Sequence, residues 1–149
     1  MVRDRKNKIK TVLLASDHAG FKLKEQIKTY LIGKGNKVID LGTKNNKSVD
    51  YPYYAHLLSK QIRKSKNSFG ILVCGSGTGM LITANKHKKI RAALCYNEKS
   101  TKLSRQHNNA NVMTIGSRLT KKNMALKCVN IFLKTKFEGG RHLRRVNKI

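Results

Sequence analysis

Residues 69–80, FGILVCGSGTGM, carry the clearest fold signal in the sequence. The first six, FGILVC, are almost entirely apolar and predict a buried strand. Glycines and small hydroxyl residues follow and predict a tight turn, after which a helix runs on from about Met80. A buried strand joined through a glycine turn to a helix is typical of a parallel α/β sheet.

The same alternation recurs along the rest of the chain. Short apolar runs predict strands at residues 11–16, 37–41, 69–74, 90–95 and 112–115, and residues at helical spacing predict helices at 21–32, from Pro52, from about Met80 and at 121–136. Residues 1–10 form a basic N-terminal extension, and residues 11–149 form a single domain. We therefore predict a doubly wound, Rossmann-like α/β fold with a five-stranded parallel sheet and five helices distributed over both faces, of which four have the positions just given.

The charge is strongly unbalanced. Among 149 residues, 33 are Lys or Arg and 7 are Asp or Glu, which gives a formal net charge of +26. Such an excess favours binding to nucleic acid, and we expect non-specific affinity for it at low salt. However, most of the basic residues are lysines spread along the whole chain, a pattern more typical of a solvated basic surface than of a focused binding stripe.

The sequence also limits location and covalent chemistry. No apolar run approaches the roughly 18–20 residues of a membrane span, and no apolar signal-peptide core follows the basic N-terminus. We therefore expect no membrane partner and a cytoplasmic location. The three cysteines are odd in number and lack C-x-x-C spacing, which argues against a disulfide framework or a zinc site. Cys95 and Cys128 lie in apolar surroundings typical of the core.

Candidate chemistry follows the first and third strands, because ligands in such folds bind at the carboxyl ends of strands. Asp17 and His18 follow the first, although Asp17 alone fits a helix cap equally well and His18 alone is ambiguous. Cys74 and the glycine turn follow the third. Free backbone N–H groups in that turn suit a phosphate or a developing oxyanion and favour the thiolate of Cys74.

The glycine turn matches no common nucleotide motif. It lacks the lysine of a Walker A loop, and its G-x-G-x-G spacing is one residue short of the dinucleotide fingerprint. A cysteine phosphatase would need an arginine six residues after the thiol, and Met80 stands there.

Two later segments also carry ionisable groups. His107 suits acid–base chemistry near neutral pH, or is an ordinary surface histidine. Arg141 and Arg145 are four residues apart and would share one face of a helix, as a phosphate clamp or as part of a basic tail.

Taken together, seven segments in order resemble the ribose-5-phosphate isomerase B family of sugar-phosphate isomerases. They are SDHAGF at 16–21, DYPYYA at 50–55, GILVCGSGTGM at 70–80, ANKHKKIRA at 84–92, LSRQHNNANV at 103–112, IGSR at 115–118 and EGGRHLRRV at 138–146. The resemblance implies interconversion of ribose 5-phosphate and ribulose 5-phosphate through an enediolate, with no metal and no organic cofactor.

The resemblance also implies roles for individual residues. Cys74 would move the proton between C2 and C1, and His107 would assist ring opening. The enediolate oxygen would be held by the turn that comprises Gly75, Ser76, Gly77, Thr78 and Gly79. Asp17 and Tyr51 would contact sugar hydroxyls. The remaining substrate contacts would come from His18, Asn108, Arg118, Arg141 and Arg145, with the arginines chiefly at phosphate. The site would lie between two subunits of a homodimer or tetramer, and the C-terminal segment would reach the partner.

Two other functions stay open at this stage. A six-carbon phosphate of the allose or galactose type would use the same thiol chemistry, and the sequence does not set the depth of the pocket. A non-catalytic nucleic-acid-binding protein that has kept the fold fits the charge, although no aromatic-rich RNA-binding motif is present.

Overall fold

The computed structural model describes residues 9–149, so most of the predicted N-terminal extension lies outside the described residues. The strands are β1 (Thr11–Ser16), β2 (Lys37–Asp40), β3 (Ser68–Cys74), β4 (Ala92–Leu94) and β5 (Val112–Gly116). The helices are α1 (Phe21–Gly33), α2 (Tyr51–Lys64), α3 (Thr78–Ala84), α4 (Glu98–Gln106), α5 (Lys122–Lys134) and α6 (Arg141–Val146). Within residues 9–149, no helix is long and apolar enough to cross a membrane.

The five strands form one sheet in the order β2-β1-β3-β5-β4, and every neighbouring pair is parallel. The chain winds from β1 to one side for β2 and crosses to the other side for β3. The strand order therefore reverses between β1 and β3, and in a doubly wound sheet such a switch point leaves a crevice outside the carboxyl ends of the two strands. The predicted fold class is confirmed.

Both faces of the sheet are covered, because alternate residues of each strand point to opposite sides. Val12, Leu14, Ile71 and Val73 belong to a core cluster under α1 and α5. Leu13, Ala15, Leu72 and Cys74 belong to a second cluster under α2 and α3. The Cys74 side chain thus lies at the carboxyl end of β3, on the face of the sheet that α2 and α3 cover.

The prediction of five helices is wrong by one, since residues 9–149 contain six. The sequence EKSTKLSRQ of α4 is too polar to stand out by its apolar spacing, and α6 has only six residues. Helix α3 begins at Thr78, two residues before the expected position, because Gly77 turns the chain with a positive φ of 80°. Strand β4 is shorter than residues 90–95, and its side chains are only half-buried at the edge of the sheet.

A buried ion pair ties α1 to β2. The Lys24 side chain is completely buried and donates to both carboxylate oxygens of Asp40 at 2.8 Å. Lys28 reaches the same carboxylate at 3.1 Å, and the backbone N–H of Gly42 donates to it at 2.9 Å. Burial alone would raise the pKa of Asp40, but the hydrogen bonds from Lys24, Gly42 and Lys28 outweigh it and hold this pKa below its ordinary value.

Candidate active site

A cavity of about 410 Å³ opens at the switch point between β1 and β3. It lies at the carboxyl ends of the strands, where a doubly wound fold binds its ligands. The lining comprises seven residues proposed from the sequence and one that was not: Asp17, Tyr51, Cys74, Gly75, Ser76, Gly79 and Arg118, together with Leu119.

The Cys74 sulfur faces the turn that starts helix α3. Gly77 has φ 80° and ψ −17°, a left-handed conformation, and its N–H donates to Cys74 Sγ at 3.1 Å. A Cβ at Gly77 would lie 2.7 Å from Leu94 Cδ1 and 3.0 Å from the backbone nitrogen of Gly116, so only glycine fits there. The turn therefore aims a backbone donor at the Cys74 sulfur.

Other N–H groups of this turn are available to a ligand. The N–H groups of Gly75, Ser76 and Gly79 find no acceptor within residues 9–149, whereas the N–H of Thr78 donates to Ser76 Oγ at 3.3 Å. Unpaired donors beside a thiol are suited to an oxygen that gains negative charge during a reaction.

Asp17 and His18 sit at the end of β1 in different roles. Asp17 is buried, and its Oδ1 accepts from the Gly20 N–H at 3.0 Å, which closes the turn before α1. Gly20 is itself the N-cap of α1 and the helix has no side-chain cap hydrogen bond, so the alternative that Asp17 caps the helix is wrong. His18 Nδ1 accepts from the Val49 N–H at 3.1 Å and so links β1 to the loop before α2. This bond leaves the ring proton of a neutral His18 on Nε2.

Tyr51 and Arg118 both line the cavity, and each packs against a different glycine of the turn. A Cβ on Gly79 would lie 2.6 Å from the Tyr51 ring, so the ring packs directly on this glycine. A Cβ on Gly75 would lie 3.0 Å from Arg118 Nη1, which places the exposed guanidinium over the turn. The Arg118 charge is thus positioned within reach of an anion in the cavity.

The remaining proposed residues lie elsewhere on the same chain. His107 caps the C-terminal end of α4, Asn108 follows it, and the exposed Arg141 and Arg145 share one face of α6. Within one chain they are not among the residues that line the Cys74 cavity.

His107 belongs to a second cluster with Glu138 and His142. Glu138 Oε2 lies 3.9 Å from His107 Nε2 and 3.5 Å from His142 Nε2, and the two imidazole rings stack with their centroids 4.2 Å apart. The backbone N–H of Glu138 donates to the carbonyl of Gln106 and anchors the cluster to α4. Burial lowers the pKa of His142, and the neighbouring His107 and Arg141 lower it further.

Within residues 9–149 this cluster is the group of three whose ligand atoms could hold a metal ion, since they lie within 4.8 Å of one another. The rings are almost parallel, at 12°, so their nitrogen lone pairs do not converge on one point. Arg141 also adds positive charge beside the cluster. The ring orientation and the charge of Arg141 therefore do not favour a cation at this cluster.

Sequence reasoning missed Leu119, Glu138 and His142. Leu119 lines the cavity although its side chain is largely exposed, a position that no motif marks. Glu138 and His142 are four residues apart in the EGGRH segment, a spacing that could have placed them together if the local conformation had been known.

A parallel α/β sheet with a thiol and unpaired backbone donors at its switch point defines a class of enzyme that acts on small anionic molecules. Within that class, the chain belongs to the family described as Ribose/Galactose Isomerase, whose model matches residues 12–149. The resemblance inferred from the sequence motifs is confirmed.

Relatives and solved structures agree over nearly the whole chain. Ribose-5-phosphate isomerase B of Escherichia coli is 41% identical over 141 residues, which is 95% of each chain. The ribose 5-phosphate isomerase structure from Thermotoga maritima has a TM-score of 0.90 at 48% identity and covers 93% of this chain and 95% of that one. A Mycoplasma genitalium ribose-5-phosphate isomerase B structure with bound ribulose-5-phosphate has a TM-score of 0.89 at 43% identity and covers 93% and 92%.

Proposed function

We propose that the protein is an aldose–ketose isomerase that interconverts ribose 5-phosphate and ribulose 5-phosphate. The observation that carries the proposal is the hydrogen bond from the Gly77 N–H to Cys74 Sγ at the cavity, in a turn that has further unpaired N–H groups. Relatives with this activity in their names align over nearly the whole chain, and one neighbouring structure holds ribulose-5-phosphate.

Cys74 is the proposed base. As a thiolate it removes the proton from C2 of the open-chain aldose. The proton of the C2 hydroxyl then passes to O1, and the thiol returns its proton to C1 as the C2 carbonyl forms, so the protein is unchanged after one turnover. Negative charge moves to the C1 oxygen in the enediolate, and the unpaired N–H groups of Gly75 and Ser76 would stabilise it there. Each well-placed donor of this kind contributes about 3–4 kcal/mol to the transition state.

The other cavity residues are proposed to hold the sugar. The Asp17 carboxylate and the Tyr51 hydroxyl are suited to sugar hydroxyls, and the exposed Arg118 guanidinium suits phosphate. Binding energy gained at the non-reacting phosphate keeps the short open chain against the thiol.

We further propose that a complete site takes residues from two chains. His107, Asn108, Arg141 and Arg145 lie away from Cys74 within one chain, yet they form a basic, imidazole-rich surface suited to ring opening and phosphate binding. A homodimer in which this surface faces the Cys74 cavity of the partner would complete the set of groups. His107 would then act on the ring oxygen of a sugar held by the partner's Cys74.

The test is ribose 5-phosphate turnover in EDTA by the wild type, Cys74→Ala, His107→Asn and a mixture of the two variants. Each variant alone should lose activity. Randomly reassembled chains should recover about a quarter of wild-type activity, because half of two-fold dimers are hybrids and each hybrid has one intact site of two.

The outcomes separate the parts of the proposal. No recovery in refolded mixtures of active-site variants would refute the shared site, although the isomerase would stand. A higher kcat/KM for allose 6-phosphate or galactose 6-phosphate than for ribose 5-phosphate would overturn the substrate.

A further inference from the structure

A second polar cavity lies at the other end of the strands from Cys74. It has a volume of about 310 Å³ and lies at the amino ends of the strands, next to the starts of β3, β4 and β5. The length of β3 separates the two cavities by about 20 Å, at roughly 3.3 Å per residue. The lining is Ile9, Lys10, Ile62, Ser65, Lys66, Asn67, Ser68, Phe69, Arg91, Arg105, Asn109 and Asn111, so the cavity shares no residue with the Cys74 site.

Arg105 is a buried cation in the wall of this cavity, with 7% of its surface exposed. Its guanidinium donates from Nε to the Thr135 carbonyl and from Nη1 to Asn109 Oδ1 and the Ala110 carbonyl, and it lies over the Phe69 ring. All these oxygens are neutral. Within residues 9–149, Nη2 has no hydrogen-bond acceptor and the guanidinium has no carboxylate partner.

Arg91 brings a second guanidinium to the same cavity. Its Nε donates to the Asn109 carbonyl at 3.0 Å, so the one loop residue Asn109 holds both arginines. Burial lowers the pKa of both arginines, and for Arg105 the charge of Arg91 lowers it further. A buried and a half-buried cation that repel each other are costly to fold together, and an anion bound in the cavity that both line would offset that cost.

The surroundings extend the positive field. A larger groove of about 650 Å³ shares Ile9, Lys10, Phe69 and Arg105 with the cavity and adds Lys34, Lys134 and Lys136. Among the described residues that line the cavity or the groove, none is acidic. The groove also presents the apolar side chains of Tyr30, Leu31 and Leu133.

We propose that this cavity at the amino ends of the strands is a binding site for the phosphate groups of a small phosphorylated ligand, separate from the Cys74 site. Arg91 and Arg105 supply the charged donors, and Lys66 and the side-chain amide nitrogens of Asn67 and Asn109 supply the rest. A guanidinium presents paired N–H donors that match phosphate oxygens, and a partly dry cavity strengthens the contact. The adjoining groove has room for the non-phosphate part of the ligand.

The probe is pyrophosphate, titrated into the full-length protein at physiological ionic strength by calorimetry, with the arginine Nε–H signals followed by NMR. We expect binding that shifts the Arg91 and Arg105 signals. Arg91→Gln should weaken this binding about ten-fold or more, since it removes a charged hydrogen-bond donor. The matched control is Arg63→Gln, which makes the same change in net charge at an exposed residue outside the cavity.

Arg118→Gln separates this site from the Cys74 cavity, and it should leave the shifts of Arg91 and Arg105 intact. The proposal is overturned if pyrophosphate leaves both signals in place, or if Arg91→Gln and Arg63→Gln bind it equally. ADP serves as the second arm. Tighter binding of ADP than of pyrophosphate identifies a nucleotide as the ligand class, whereas equal binding identifies a simpler phosphorylated anion.

Discussion

Gly77→Ala should damage both stability and turnover, because Gly77 shapes the turn and supplies the donor to Cys74 Sγ. An alanine in the left-handed conformation costs about 1–2 kcal/mol. Its Cβ would also lie 2.7 Å from Leu94 Cδ1 and 3.0 Å from the Gly116 nitrogen, and such overpacking typically costs about 1–3 kcal/mol. The free energy of unfolding should therefore fall by about 2–5 kcal/mol, which lowers Tm by about 6–15 °C for a domain of this size.

The effect on turnover follows from the displaced N–H group. A hydrogen bond to a charged group contributes about 1.5–3 kcal/mol, so kcat for ribose 5-phosphate should fall roughly 10- to 100-fold at a temperature where the variant is folded. Thermal unfolding and a steady-state isomerase assay measure the two effects separately. Gly33→Ala is the control, since Gly33 ends α1 with open space around it, and alanine there should be neutral or slightly stabilising. A Gly77→Ala protein with wild-type Tm and kcat would refute this account of the turn.

The remaining predictions concern reactivity, acid stability and the Tyr51 wall. Burial raises the pKa of Cys95 to about 12, so iodoacetamide at pH 8 should alkylate Cys74 first and leave Cys95 unmodified. Mass spectrometry of the labelled protein measures this order, and rapid labelling of Cys95 would contradict its burial. The pKa of Asp40 is held below its ordinary value, so its contribution to stability is complete above about pH 5 and is lost as pH falls through its folded-state pKa. Asp40→Asn should lower stability by about 1.5–3 kcal/mol at pH 7, since it removes a charged hydrogen bond while Lys24 keeps Glu25 at 2.9 Å. The substitution should also flatten the acid limb in urea titrations, and an unchanged limb would exclude Asp40 as its source. Gly79→Ala should keep Tm near wild type, because the preference of alanine for the helix offsets the displacement of the Tyr51 ring. The displaced ring should raise KM for ribose 5-phosphate, and an unchanged KM would show that the ring does not contribute to binding.

The sequence was most informative where local and tertiary preferences agree. Strands β1, β3 and β5 are apolar runs buried on both faces, and their predicted bounds match the structure to within a residue. The glycine turn with its cavity also followed from the strand-end rule and the motif. Helix α4 lacked such agreement, because a polar sequence gives little periodic signal and its position depends on packing against α5.

Two aspects of the site are beyond sequence reasoning for physical reasons. The stack of His107 on His142 depends on the loop that returns the chain past α4, a long-range contact that no spacing encodes. The cavity at Arg91 and Arg105 depends on Asn109, a non-glycine residue with φ 47° that holds both guanidiniums. A motif can name residues, but only the folded chain determines which of them meet.

The two edge strands of the sheet also affect how the protein behaves in concentrated solution. The edge strands β2 and β4 have only four and three residues, so each offers few unpaired N–H and C=O groups to a strand from another molecule. A formal charge of +26 adds long-range repulsion between molecules. Edge-to-edge aggregation is therefore opposed twice, by short edges that salt does not alter and by repulsion that salt screens.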